Sequence, residues 1–235
     1  MAIGWAAIVV AAGRGARLGA PKQFLELAGL PMVGWSVRTF AEMPEVADLI
    51  VVTEREWMER TRELFARLAP AHAVRVVEGG ASRQASVRNG LRVVPQRCEA
   101  VLVHDGARPL VHAQDVRAGM REVRAGRAAL LAAPVVDTIK AVNPATLAVV
   151  GTLDRGTLWA AQTPQFALAA DLARAHEHAR RDGVDATDDA ALLERIGIEV
   201  VVVSASSENF KVTLPEDVAR AQTLLQNRSA VAWPA

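Results

Sequence analysis

The chain has 235 residues, 51% hydrophobic and 23% charged, with 27 basic against 26 acidic side chains and a net charge of +1 at pH 7. Such a length and balance describe a globular protein with one large domain, or one domain with an appendage, and a charge so near zero argues against bulk electrostatic binding to nucleic acid or an anionic membrane. One cysteine, Cys98, excludes an internal disulfide and any multi-cysteine metal site, while the lack of a bilayer-length apolar run and of a basic stretch before the apolar start leads us to expect a cytoplasmic location.

In chain order, apolar runs at 6–12, 49–53, 74–77, 101–104, 129–135 and 200–204 read as buried strands. Amphipathic stretches lie between them. Trp57, Met58, Thr61, Leu64, Phe65 and Leu68 form a stripe at helical spacing, and 172–179 and 218–225 supply others, all read as core packing. The alternation predicts an α/β, Rossmann-like fold: a mostly parallel twisted sheet flanked by helices, one domain over 1–228, with a loose tail at 229–235. One segment breaks the pattern. Strand-like runs at 138–142 and 147–153 flank Asn143-Pro144-Ala145-Thr146, which reads as a hairpin turn. An isolated hairpin is marginal in water, so this inserted β-arm, 138–158, is expected to lean on a second subunit.

The first strand runs into Ala11-Ala12-Gly13-Arg14-Gly15-Ala16-Arg17-Leu18-Gly19-Ala20-Pro21-Lys22-Gln23. Small residues let backbone N–H groups approach an anion, and in open α/β sheets ligands bind beyond the carboxyl ends of strands. No Gly-Lys-Ser/Thr follows, so this is not a Walker A loop, and Leu18 stands where the dinucleotide fingerprint needs its third glycine. Arg17 and Lys22 add two positive charges, which reads as a triphosphate cradle. Lysine is scarce here: of 27 basic side chains only Lys22, Lys140 and Lys211 are lysine. An ammonium on a flexible stem can follow moving phosphate oxygens, where arginine presents a planar fork. Lys22 and Lys211 are candidates on that ground, and Lys140 lies on the arm without a clear task. His176-Glu177-His178 is no metal site, because helical residues two apart point about 200° away from one another; it reads as a surface stretch. Thr187-Asp188-Asp189 reads as a helix cap, and Cys98 has no assigned role.

Ala-Ala-Gly-x-Gly-x-Arg with Pro-Lys-Gln resembles the sugar nucleotidyltransferase signature. Later segments narrow the resemblance: Gly79-Gly80-Ala81-Ser82-Arg83-Gln84-Ala85-Ser86-Val87, Val103-His104-Asp105-Gly106-Ala107-Arg108-Pro109, Ala133-Pro134-Val135-Val136-Asp137-Thr138, Thr163-Pro164-Gln165-Phe166, Ala186-Thr187-Asp188-Asp189 and Lys211-Val212-Thr213-Leu214-Pro215-Glu216-Asp217. In this order they resemble the 2-C-methyl-D-erythritol 4-phosphate cytidylyltransferase family over nearly the whole chain. Gly106 and Ala81 depart from it, standing where relatives often carry another small residue and an acid.

The resemblance implies a reaction of CTP with 2-C-methyl-D-erythritol 4-phosphate, giving 4-diphosphocytidyl-2-C-methyl-D-erythritol and pyrophosphate in non-mevalonate isoprenoid precursor biosynthesis. It implies catalytic roles for Arg17, Lys22 and Lys211. CTP would be bound by Ala11, Ala12, Gly13, Gly15, Arg17, Lys22, Gly80, Ser86, Asp105 and Gly106. The acceptor would be bound by Arg108, Thr138, Arg155, Thr163 and Lys211. Asp105 would hold Mg²⁺ or another divalent cation, and the arm would join a homodimer in which Arg155 serves the neighbouring site. The attacking group is a phosphate monoester, largely dianionic at neutral pH because its second pKa is about 6, so no general base is required. The obstacle is repulsion between anions. A unit charge pair at about 4 Å is worth about 4 kcal/mol at an effective dielectric of 20, so converging cations can offset much of it. The alternatives are a cytidylyltransferase for another polyol phosphate such as ribitol 5-phosphate, a non-catalytic nucleotide-binding protein, and an NAD-dependent oxidoreductase, the last weakened by the missing glycine.

Overall fold

A computed structural model describes residues 3–13 and 22–232. The first strand, β1 (Trp5–Val10), is buried almost throughout. A short ribbon of β2 (Glu26–Leu27) and β3 (Leu30–Pro31) leads into α1 (Met32–Ala41). Then come β4 (Val46–Thr53), α2 (Met58–Leu68), β5 (Val74–Glu78), α3 (Arg83–Leu91), β6 (Ala100–Asp105), α4 (Ala113–Arg124) and β7 (Ala128–Pro134). The arm is β8 (Lys140–Val142) and β9 (Val149–Thr152). The chain finishes with β10 (Trp159–Leu168), α5 (Ala169–Arg181), α6 (Asp189–Arg195), β11 (Val200–Ser204) and α7 (Pro215–Ala232).

The main sheet has seven strands in the order β11-β7-β10-β6-β1-β4-β5. β10 lies antiparallel to both β6 and β7, and every other pairing is parallel. Both faces are covered, which is why the central strands read as unbroken apolar runs. Trp5, Ala7 and Val9 pack with α1, α2 and α4. Ala6 and Ile8 face the other way, toward Val87 of α3, Leu172 and Ala175 of α5, and Leu192 and Leu193 of α6.

Each strand expected from the sequence is present to within a few residues. β10 escapes the sequence pattern, because Gln162, Thr163, Pro164 and Gln165 interrupt its apolar run. Gln162, Thr163 and Gln165 are buried at the sheet centre and hydrogen-bonded there. α7 continues through Ala232, into the segment 229–235 read as a tail. The helical stripe is also less uniform than expected: Thr61, Leu64 and Phe65 are buried, but Trp57 lines a cavity described below. No helix among the described residues is long and apolar enough to cross a membrane.

The arm pairs β8 with β9 antiparallel, apart from the main sheet. Asn143 Oδ1 accepts from the N–H groups of Ala145 (2.9 Å) and Thr146 (3.3 Å), forming the turn the sequence indicates. Val136, Val142, Leu147, Val149, Val150, Leu153 and Trp159 are exposed on or beside it.

Candidate active site

A cavity of about 1320 Å³ opens beyond the carboxyl ends of β1, β4, β5 and β6. Its walls continue the sheet ladder: Ala11 N–H donates to Val52 O (2.7 Å), Gly79 N–H to Thr53 O (2.7 Å), and Gly106 N–H to Val10 O (2.9 Å). Backbone held this way can face a ligand with little rearrangement. Two glycines make the close approach possible. A Cβ on Gly79 would lie 2.3 Å from Ala12 Cβ, and one on Gly80 would lie 2.4 Å from Ala85 Cβ. The Ser82 side chain caps α3 by accepting from Ala85 N–H at 3.1 Å. Ser86 Oγ donates to Ser82 O (2.9 Å) and accepts from Gly80 N–H (3.0 Å), which pins the Gly79-Gly80 turn.

Asp105 ends β6 at the cavity floor and is nearly buried. Its Oδ1 accepts from Arg83 Nε at 3.0 Å, and its Oδ2 accepts from Lys211 Nζ at 2.7 Å. Burial alone would push this carboxyl up, but Arg83 and Lys211 outweigh it and hold the group well below the usual carboxylate range. Asp105 is therefore anionic at any working pH. Arg83 Nη1 also donates to Asp189 Oδ2 at 2.8 Å. Lys211 is held by a braced segment. Val212 N–H donates to Ala107 O (2.8 Å), Arg220 stacks 4.3 Å over Phe210, and Asp217 Oδ2 accepts from the N–H groups of Thr213 and Leu214 at 2.8 Å.

A second layer lies behind Asp105. The Asp105 N–H donates to Thr163 Oγ1 at 3.0 Å, so the threonine proton is directed to His104 Nδ1 at 3.1 Å. His104 Nε2–H then faces Arg108 O at 3.0 Å and Ser36 Oγ at 3.2 Å. His104 is fully buried, and burial lowers its pKa to about 4 despite the partly compensating bond to Arg108 O. It is a neutral brace. Asn209 closes the layer from the other side: its Nδ2 donates to Thr163 O (2.8 Å) and Gln162 Oε1 (2.9 Å), and its carbonyl accepts from Arg108 Nη1 (2.7 Å).

Ala11, Ala12, Gly13, Lys22, Gly80, Ser86, Asp105, Gly106 and Lys211, singled out from the sequence, all line this one cavity. Gly15 and Arg17 lie outside the described residues. Thr163 and Arg108 sit behind the wall, engaged as above. Thr138 and Arg155 lie on the exposed arm, where Arg155 Nη1 donates to Val136 O at 2.6 Å. Lys140 Nζ donates to its cross-strand partner Thr152 Oγ1 at 2.7 Å, a local arm contact. Asp188 caps α6 as expected, accepting from Ala191 N–H at 3.0 Å.

One reading is corrected. His176 is buried and bonded to Asp189 Oδ1 at 3.0 Å, so only Glu177 and His178 of that triplet are on the surface. The two histidines do point apart, one buried and the other exposed. Arg83, Asp189, His104 and Asn209 are parts of the site that sequence reasoning misses. Arg83, His104 and Asp189 do fall inside the quoted motifs, but nothing local marks side chains such as Arg83 and His104, whose partners lie 106 and 59 positions away.

No group of three or more His, Cys, Asp or Glu able to hold a metal occurs among the described residues. What the cavity does offer is one buried carboxylate, Asp105, the donor a hard ion takes when its other ligands come from phosphates and water. Such a donor set does not fit an all-protein cage.

Comparison with known proteins bears on this cavity. The family model described as 2-C-methyl-D-erythritol 4-phosphate cytidylyltransferase (IspD) matches residues 5–227. A protein of that name from Nocardia farcinica is 45% identical, covering 96% of this chain and 95% of its own. Another from Desulforamulus reducens is 39% identical, covering 95% and 96%. The crystal structure of the Thermus thermophilus protein of that name superposes with a TM-score of 0.77 at 31% identity, over 93% of this chain and 98% of the other. The 4-diphosphocytidyl-2C-methyl-D-erythritol synthase of Anaerococcus prevotii superposes with a TM-score of 0.86 at 25% identity, over 96% and 100%.

Proposed function

The chain belongs to the 2-C-methyl-D-erythritol 4-phosphate cytidylyltransferase family, and from that premise we propose how its residues carry out the family's reaction. The enzyme joins CTP to 2-C-methyl-D-erythritol 4-phosphate in the non-mevalonate pathway. A phosphate oxygen of the acceptor forms a bond to the α-phosphorus of CTP, the bond from that phosphorus to the bridging oxygen of the β-phosphate breaks, and pyrophosphate leaves. No proton need be removed from the nucleophile.

The observation that carries the assignment of roles is the Lys211–Asp105 pair at the cavity floor, 2.7 Å apart, with Lys22 and the backbone of Ala11–Gly13 on the same cavity. Lys211 is the mobile cation. It rests on Asp105 Oδ2 in the free protein and turns to the α-phosphate and incoming phosphate when substrates arrive. Lys22 and Arg17 hold the triphosphate. Asp105 presents one oxygen toward the phosphates and would hold a divalent ion there, Mg²⁺ by the chemistry of a single carboxylate with phosphate ligands. Bound there, such an ion neutralises phosphate charge and orients the triphosphate.

Selection of cytosine follows from Ser86. Its proton is committed to Ser82 O and one lone pair to Gly80 N–H, so what remains to a ligand is an acceptor. Cytosine offers an amine at the position where uracil offers a carbonyl oxygen, so Ser86 favours the former. The acceptor end is completed by Arg108, Thr163 and Lys211 of one subunit with Thr138 and Arg155 of another, brought in by the arm. The seven exposed apolar side chains on and beside the hairpin support this homodimer, since no described residue of the same chain covers them. We place the reaction in the cytoplasm, where nucleoside triphosphates are at hand.

The test is pyrophosphate release from CTP with each polyol phosphate, for the wild type and Lys211→Ala. Expected is turnover with 2-C-methyl-D-erythritol 4-phosphate and a fall of about a hundredfold or more in kcat for the variant, typical of losing one stabilising charge, with the fold retained. Near-normal kcat in Lys211→Ala removes that residue from the mechanism.

A further inference from the structure

Arg83 touches two carboxylates in opposite directions. Its Nε donates to Asp105 Oδ1 at 3.0 Å and its Nη1 to Asp189 Oδ2 at 2.8 Å. Asp189 is almost completely buried and does not line the cavity. It is clamped from behind by His176 Nε2 at 3.0 Å, while Gln165 Oε1 accepts from the N–H groups of Asp189 and Ala190 at 2.9 and 2.8 Å. Burying a carboxylate this deeply is costly unless it is paired, and helix capping does not require it, because Asp188 already caps α6. What Asp189 does accomplish is to share Arg83. One guanidinium charge is divided between two acids, so Arg83 anchors Asp105 while offsetting only part of its charge. Arg83 covers Oδ1, and Oδ2 is left to Lys211 at 2.7 Å, which the proposed reaction moves to the phosphates, with Arg108 Nε farther off at 4.0 Å.

We propose that Asp189 is a positioning residue that balances Arg83, leaving Asp105 oriented and negative enough to hold the divalent cation that accompanies CTP. The inference rests on the metal role given to Asp105 above. Its consequence has a definite sign. Removing the remote Asp189 charge leaves the whole of Arg83 facing Asp105, so cation affinity falls although no ligand of the cation has been touched. Removing Arg83 does the opposite. Removing both restores the balance.

The measurement is CTP affinity by titration calorimetry at a series of Mg²⁺ concentrations, without acceptor and hence without turnover. It yields the Mg²⁺ concentration for half-maximal binding. For Asp189→Asn this should rise at least about fivefold, within the ordinary range of coupling between sites. The Arg83→Gln, Asp189→Asn double variant should return close to wild type, and Arg83→Gln alone should fall below it. The double variant removes both charges of the buried pair together and so avoids the uncompensated charge that makes single removals costly; its comparison with Arg83→Gln decides the matter even if Asp189→Asn does not fold. Asp188→Ala, which removes the α6 cap and the Gln165 contact, should lower stability and leave the Mg²⁺ dependence alone. The proposal is overturned if Asp189→Asn matches wild type, if Asp188→Ala shifts the Mg²⁺ dependence equally, or if the double variant is no better than Asp189→Asn. Wild-type CTP binding that is indifferent to Mg²⁺ would instead remove the metal role of Asp105, and this inference with it.

Discussion

Acidification should destabilise this protein largely through His104, the most deeply buried of the histidines whose pKa is lowered; His112, half-exposed, is lowered by burial and by Arg228 and adds in the same direction. His104 is fully buried, and burial lowers its pKa from 6.5 to about 4. A histidine whose pKa is depressed on folding contributes stability that is complete above its unfolded value and is lost as pH falls toward its folded value. The window is therefore about pH 6.5 to 4. At ~1.4 kcal/mol per pH unit the full contribution is about 3.5 kcal/mol, and roughly 2.5 kcal/mol of it is gone at about pH 4.5. Asp105 does not blur the window, since a depressed carboxyl loses its contribution only as pH falls below its ordinary value of 3.8. His104→Asn isolates the effect. Asparagine Oδ1 can replace Nδ1 as the acceptor for Thr163, but it does not titrate. Urea unfolding of both proteins, followed by circular dichroism at pH 7.5 and 4.5, should show the wild-type advantage shrinking by about 2.5 kcal/mol at the lower pH. Parallel loss of stability in the two proteins would refute the claim that His104 is held neutral by burial.

Three further outcomes are expected. Gly79→Ala places a Cβ 2.3 Å from Ala12 Cβ, so the cavity wall must shift; CTP affinity measured by calorimetry should collapse, with a stability cost of about 1–3 kcal/mol typical of overpacking, and unchanged affinity would count against a tight base slot. Ser86→Ala removes the acceptor of Gly80 N–H, and competition assays should show discrimination of CTP from UTP falling by roughly tenfold or more; unchanged selectivity assigns base choice elsewhere. Val150→Asp, on the exposed arm, should cost the isolated subunit no more than about 0.5 kcal/mol, yet convert a dimer to a monomer in light scattering and impair turnover. A dimer persisting in that variant means the arm is not the interface.

Much of the architecture is readable because it depends on nearest neighbours. Runs of Val, Ile and Leu bounded by small residues mark parallel strands covered on both faces, and Asn143 marks the hairpin through bonds to residues only two and three positions on. The same holds for part of the cavity wall, where Gly80 must stay small because a Cβ there would lie 2.4 Å from Ala85, five positions on. β10 is hidden for the opposite reason. Its four consecutive polar or proline residues look like a loop, and they become strand only because His104, Asn209 and the backbone of Asp189 supply partners from elsewhere.

What the sequence determined by itself was chemistry: which cations are lysine, which small-residue segments line the cavity, and which family's motifs recur in order. Asp105 and Lys211 could be named, but not joined. Only the tertiary structure decided that they form an ion pair across 106 positions, that Arg83 spans Asp105 and Asp189, and that His176 is interior rather than surface. The physical reason is that a residue's type sets what it can donate, accept or carry, whereas its charge balance and burial depend on groups that meet only when distant segments pack together. The arm marks the same limit, because the exposure of its apolar side chains appears only once the chain is folded.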